Sequence, residues 1–138
     1  MVIFLGLLVM LVVAMWSYKY AWWKSAVDWK RPRVLMYHMV REHIKGAKFN
    51  KLRVTPAEFE KQVAWMKADG FHFVTMQELQ ANWGKHPEKT VAITFDDGYL
   101  DNLEHAFPIL EKYQAKATIY VVVDRHDRDW STYKKAHH

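Results

Sequence analysis

The chain has 138 residues, a formal net charge of +5 and no cysteine. That length holds one domain, of which about 110 residues remain for a core once an apolar start is set aside. The missing cysteines exclude a disulfide framework, a thiol nucleophile and a thiolate zinc site, but leave the compartment open.

Val2 to Trp16 is an uncharged, almost wholly apolar run, extended by Ser17 and Tyr18 before the first charge at Lys19. A membrane span needs about 20 residues, with ~17 as a lower bound. Trp16, Tyr18, Tyr20, Trp22 and Trp23 follow at once, the ring types that settle at headgroup level. The run lacks the polar stripe of a core helix. The bulky Met15 and Trp16 make Val12-Val13-Ala14 a poor signal-peptide cleavage site. A single-pass transmembrane anchor over residues 1–18 is therefore expected, with membrane lipid as one partner.

Residues 19–33 read as a juxtamembrane linker carrying Lys24, Lys30, Arg31 and Arg33. A basic cluster there suits lipid headgroups or water better than nucleic acid, which is not expected as a partner. By the positive-inside rule these charges place the body in the cytoplasm.

In the body, residues 34–138, Val34 to His38 reads as a short buried strand. Residues 39–54 show no period and are expected to be loop. Thr55-Pro56-Ala57-Glu58 is a helix start: a capping threonine, proline in the first turn and glutamate closing a capping box. Phe59, Val63 and Met66 recur at helical spacing, and Gly70 stops the helix. Phe71 to Thr75 is a strand, and Thr75-Met76-Gln77-Glu78 starts a second, short helix. Thr90 to Phe95 is nearly continuous in apolar character, as in a parallel strand buried on both faces. Asn102 is expected to cap a helix that buries Leu103, Phe107 and Leu110 on one face and bends at Pro108. Lys116 to Val123 is another buried strand; Asp124 to His138 gives no element. Four strands alternating with helices predict an α/β fold with a largely parallel sheet.

Ligands in such folds sit at the carboxyl ends of the strands, where Asp96 and Asp97 lie. Adjacent strand residues point to opposite faces, but a break at Gly98 lets both carboxylates turn to one cavity. Two close carboxylates repel unless a cation offsets them, and a metal ion is the simplest compensation. The bland alternative is a solvated turn with an incidental aspartate pair.

Thr94-Phe95-Asp96-Asp97-Gly98-Tyr99 resembles the first motif of the polysaccharide deacetylases (carbohydrate esterase family 4, the NodB homology domain). Val34 to His38 looks like that family's opening strand, Gly70 to Leu79 like its "GF-x-x-V-T-x-x-E-L" segment, and Lys116 to Val121 like the strand after the aspartate motif. The resemblance covers about residues 33 to 123. It implies a distorted (β/α) barrel, of which this chain holds part, that removes N-acetyl groups from an amino-sugar polysaccharide. It also implies Asp96 as general base and Asp97 as ligand of a divalent metal, zinc first among candidates. It favours the extracytoplasmic side for the body, against the charge rule. His38 ends a strand on the presumed face of Asp96, and His38 and Tyr99 are pocket candidates whose plainer readings are structural hydrogen bonding and packing. The family's later histidine ligands have no counterpart: no two of the eight histidines stand in an H-[ST]-x-x-H arrangement. An incomplete and inactive domain is therefore expected. The competing readings are a non-catalytic membrane-anchored remnant or interaction protein, and a small basic membrane-surface protein with no carbohydrate role.

Overall fold

A computed structural model of the chain describes residues 2–21, 24 and 28–123. Parts of the expected linker, and the end of the body from residue 124, lie outside the described residues.

The apolar start folds as helix α1, Val2–Tyr20, with Lys19 in its last turn. Its side chains are exposed throughout from Phe4 to Trp16, so no stripe of the helix is buried. Among the described residues no helix is long and apolar enough to cross a membrane. Helix α1 has 19 residues. The expected transmembrane helix over 1–18 is thus found as a helix, but not as a crossing.

Four parallel strands make the main sheet: β1 (Arg33–Tyr37), β4 (His72–Val74), β5 (Thr90–Asp97) and β6 (Ala117–Val121). The central strand is β5. Along one edge it pairs with β1, from Arg33↔Val91 to Tyr37↔Phe95. It also pairs β4 over its first residues, His72↔Thr90 to Val74↔Ala92, and β6 over its last, Ile93↔Ala117 to Asp97↔Val121. Burial explains the centre: Thr90 to Phe95 are all buried, and β-branched and aromatic residues fit a strand covered on both faces. The α/β class and the parallel sheet match the expectation. The described strands form an open sheet and do not close a barrel.

Helix α2, Pro56–Ala68, carries the capping box read from the sequence, with Thr55 accepting from the Glu58 amide. It lays Phe59, Val63 and Met66 against the sheet. Phe59 meets the Tyr37 ring edge-on at 5.1 Å and the Phe95 ring at 5.7 Å. Removing so large a buried ring costs about 3–5 kcal/mol, so this trio is the centre of the core. Tyr37 donates to Gln62 Oε1 at 2.5 Å, and burial raises its pKa. Helix α3, Met76–Ala81, is capped by Thr75 and Glu78 in the same way.

Two expectations need correction. Residues 39–54 contain a second, two-stranded parallel pair, β2 (Met39–Val40) with β3 (Arg53–Val54), and a 3-10 turn at Asn50–Leu52. Asn102 does not cap a helix by its side chain. It opens a π-helical turn, Asn102–Ala106, that leads into α4, Phe107–Lys112. The wider turn rotates the following residues away from a 3.6-residue count. Ala106 and Leu110 are buried, whereas Leu103 and Phe107 stand 63% and 53% exposed. Pro108 falls in the first turn of α4, directly after the π turn.

Candidate active site at the end of the central strand

The parallel strands carry their carboxyl ends to one end of the sheet, where β5 and β6 end level with each other, beyond β1 and β4. The last two residues of β5 are Asp96 and Asp97, both half-buried. The chain turns sharply at this point: Asp97 has φ +71° and Gly98 φ +67°. The strand therefore runs through both aspartates, and the left-handed turn starts at Asp97 itself, one residue earlier than the sequence implied. Such a conformation at a non-glycine residue costs about 1–3 kcal/mol, and held strain of this kind clusters at functional sites. Gly98 is required twice over, by its φ and because a Cβ there would lie 3.0 Å from Val121 Cγ1.

Tyr99 follows, half-buried, and donates a hydrogen bond to Asp97. Burial first, and then the Asp97 charge and this bond, push its pKa up to about 12. The phenol therefore stays protonated and remains a donor at neutral pH. This places Tyr99 beside the aspartate pair, as a pocket candidate should be.

Asp101 and Asn102 are buried beneath the loop. Asp101 Oδ1 accepts from the Val40 amide at 3.3 Å. With its amide oriented to satisfy both neighbours, Asn102 donates to the His38 carbonyl at 3.0 Å and to Asp101 Oδ1 at 3.2 Å. These two residues tie the β1–β2 junction to the aspartate loop. His38 comes one residue after the Tyr37↔Phe95 pair, which sets it level with Asp96. Its backbone, not its ring, carries the described bond.

Burial raises the pKa of Asp101, against the Val40 hydrogen bond and the charges of Arg41, His105 and Arg53. Arg53 is itself buried and donates from Nη1 to Asn50 Oδ1 at 3.1 Å. Burial, then Arg41, lowers its pKa; Asp101 and Tyr99 oppose that shift. Sequence reasoning missed Asp101, Asn102 and Arg53 as site supports. The single signal was an arginine beside the apolar Val54, too weak to read as burial. His43 is exposed and its Nε2 lies 3.1 Å from the Arg53 carbonyl. His72 and His105 are exposed.

The implied metal fits the described residues poorly. Among them no three His, Cys, Asp or Glu side chains gather as a metal site. A catalytic zinc takes about three protein ligands and a water. Asp97 is the one ligand the motif assigns here, and His126, His137 and His138 lie outside the described residues. What the described arrangement offers chemically is a pair of carboxylates at a strand end, one held by a phenol donor.

Residues 84–138 match the family model for polysaccharide deacetylase. A putative polysaccharide deacetylase of Bacillus subtilis, YxkH, is 42% identical over 105 residues, covering 74% of this chain and 35% of that protein. The poly-β-1,6-N-acetyl-D-glucosamine N-deacetylase of Staphylococcus epidermidis is 33% identical over 102 residues, 65% of this chain and 35% of its own length. Among solved structures, IcaB from Ammonifex degensii superposes with TM-score 0.61 at 32% identity, over 75% of this chain and 42% of that one. The chain thus spans about a third of the length of these two curated relatives. Over the stretch it shares with them, this chain is similar to the polysaccharide deacetylases.

Proposed function

We propose that the chain carries the base-bearing part of a metal-dependent hydrolase that removes N-acetyl groups from an amino-sugar polysaccharide, within a distorted (β/α) barrel. The observation that carries this reading is the end of β5. A strand buried from Thr90 to Phe95 delivers Asp96 and Asp97 into a strained turn, in a chain 33% identical over 102 residues to a relative named an N-deacetylase. Asp96 is the group that accepts the proton of the attacking water as the amide carbonyl is opened. Asp97, held by Tyr99, is the residue for a divalent metal, zinc first. Since the described residues lack the other ligands, the chemistry assigned to this chain stops at the proton on Asp96. Poly-β-1,6-N-acetylglucosamine is the first substrate to try, because the Staphylococcus epidermidis relative is named for it.

The test is acetate release from oligomers of that polymer, with zinc, cobalt or nickel supplied, by the chain and by Asp96→Asn. Release that the substitution lowers at least about a hundredfold supports the assignment, the usual scale for a general base. Equal release by both proteins removes Asp96 from the role. No release from a folded sample with metal present assigns the chain to the non-catalytic alternative.

We also propose that α1 attaches the chain to a membrane with the body on the extracytoplasmic side, within reach of such a polymer. Support comes from the all-round apolar exposure of Phe4 to Trp16, which only lipid or protein would cover. Because the chain has no cysteine, a single Lys51→Cys offers one thiol. Labelling of intact cells by a membrane-impermeant maleimide supports the outer side; labelling only after lysis overturns it.

A further inference from the structure

We infer that the strand-starting end of the body is a lipid-facing surface that rests on an anionic phospholipid bilayer. This deepens the reading of α1 as a membrane attachment.

Three connections meet at that end: residues 28–32 before β1, 69–71 between α2 and β4, and 82–89 between α3 and β5. Their joins are explicit. The Lys89 amide donates to the Trp29 carbonyl at 2.9 Å, the His72 amide to the Lys89 carbonyl at 3.0 Å, and Lys89 Nζ to Asp69 Oδ2 at 3.0 Å. Trp29 is part of the same joint, with the Arg33 guanidinium 4.6 Å and Lys89 Nζ 5.6 Å from its ring centroid. The segment that follows α1 in sequence is thus fastened to this end of the sheet.

Tryptophan is distributed unevenly. Trp29 and Trp65 stand here, 42% and 58% exposed, both against Phe71, and Trp83, 71% exposed, opens the third connection and also lines a cleft with Thr118 and Tyr120. Trp65 packs on Phe71 at 5.6 Å, as Trp29 does, and Trp83 on His86 at 6.3 Å. Exposed indole is costly in water yet settles at the headgroup layer. These connections, with the first residue of β1 and the last turn of α2, carry Lys30, Arg31, Arg33, Lys67, Lys85 and Lys89 in sequence, against Asp28, Asp69 and Glu88. An excess of cations with interleaved tryptophan is complementary to anionic headgroups. The loop at the other end, residues 41–53, is also basic, but among the described residues no tryptophan stands there. Charge alone does not single out the lipid end; the rings do. With this end on the bilayer, Asp96 and Asp97 at the opposite end of β5 face away from it.

The experiment is flotation of the full chain with vesicles of phosphatidylcholine alone and of phosphatidylcholine with one quarter phosphatidylglycerol. The proteins are wild type, Lys30→Glu/Arg31→Glu/Lys85→Glu, Trp29→Ser/Trp83→Ser, and a control, Lys45→Glu/Lys48→Glu/Lys51→Glu, at the other end. Folding of each is checked by circular dichroism. The wild type is expected to prefer the anionic vesicles, and the lysine–arginine triple at the strand-starting end to lose that preference by at least about tenfold. The tryptophan pair is expected to weaken binding to both vesicle types, and the control to change neither. Equal loss in triple and control would mean that overall charge, not this surface, is read, and overturns the inference. So does equal wild-type binding to both vesicles, which leaves the α1 reading standing. Anionic binding that requires the triple without any binding to neutral vesicles keeps the inference and sinks α1 as an anchor. No binding to either removes both.

Discussion

At the scale of single residues, the site turn rests on Gly98. Alanine there meets Val121 at 3.0 Å and takes a φ of +67°. Both penalties act on the folded state, so Gly98→Ala should lower unfolding free energy by about 1–3 kcal/mol in urea titration. A loss under half that would show that β6 yields easily. Asp101 makes a prediction of opposite kind, through pH. Its folded pKa is raised by burial, so it stabilises the fold below its unfolded pKa and loses that contribution as pH rises through the folded value. Glu58, Glu60 and Glu78 have lowered pKa values, from hydrogen bonds of Thr55, of Lys112 and Tyr113, and of Lys116 with Thr75. Their contribution is present above the unfolded carboxylate pKa and is lost as pH falls through the folded values. Going from neutral pH to acid therefore sets Asp101 against the three glutamates. In Asp101→Asn, which cannot ionise, acid should destabilise more steeply than in wild type. Parallel stability–pH curves for the two proteins would refute the shift.

At the scale of elements, capping decides whether α3 forms. It spans six residues and buries only Leu79, so propensity and packing alone are marginal for it. Thr75 accepts from the Glu78 amide at 3.1 Å, and Glu78 Oε2 accepts from the Thr75 amide at 2.8 Å. The Met76 amide donates across to Thr118 Oγ1 at 3.0 Å, and Glu78 also pairs with Lys116. Thr75→Ala should cost about 1 kcal/mol and speed amide exchange across residues 76–81 more than across α2. Uniform exchange rates would mean that α3 is held by packing instead. Such boxes were legible in the sequence because both Thr-x-x-Glu patterns are local. The β2–β3 pair was not: each strand has two residues, too few for a period, and joins residues more than a dozen positions apart. Nor was the π turn, since counting by 3.6 sets Leu103 and Phe107 on the buried face and only the three-dimensional turn reveals the shift.

For the whole molecule, the main sheet was legible because β1, β5 and β6 are apolar runs whose residue types suit buried parallel strands. The aspartate pair stood out because it follows the most continuous of these runs. Its supports were hidden: Asp101 and Asn102 look like turn residues until β2 is packed on them, and a buried arginine has no local pattern. The four-strand sheet leaves an open edge at β6 among the described residues, and that edge carries the last prediction. Strand β6 is hydrogen-bonded to β5 on one side, and among the described residues no strand pairs with its other side. Ile119, Tyr120 and Val121 are exposed there. An exposed apolar strand edge is a template for pairing with another chain. Tyr120→Lys places a charge on it without touching the buried face of β5. In a detergent that accommodates α1, light scattering should show less self-association for Tyr120→Lys than for wild type, with the gap widening as concentration rises. Identical association of both proteins would mean that copies meet through α1 or another face and not through the edge of β6.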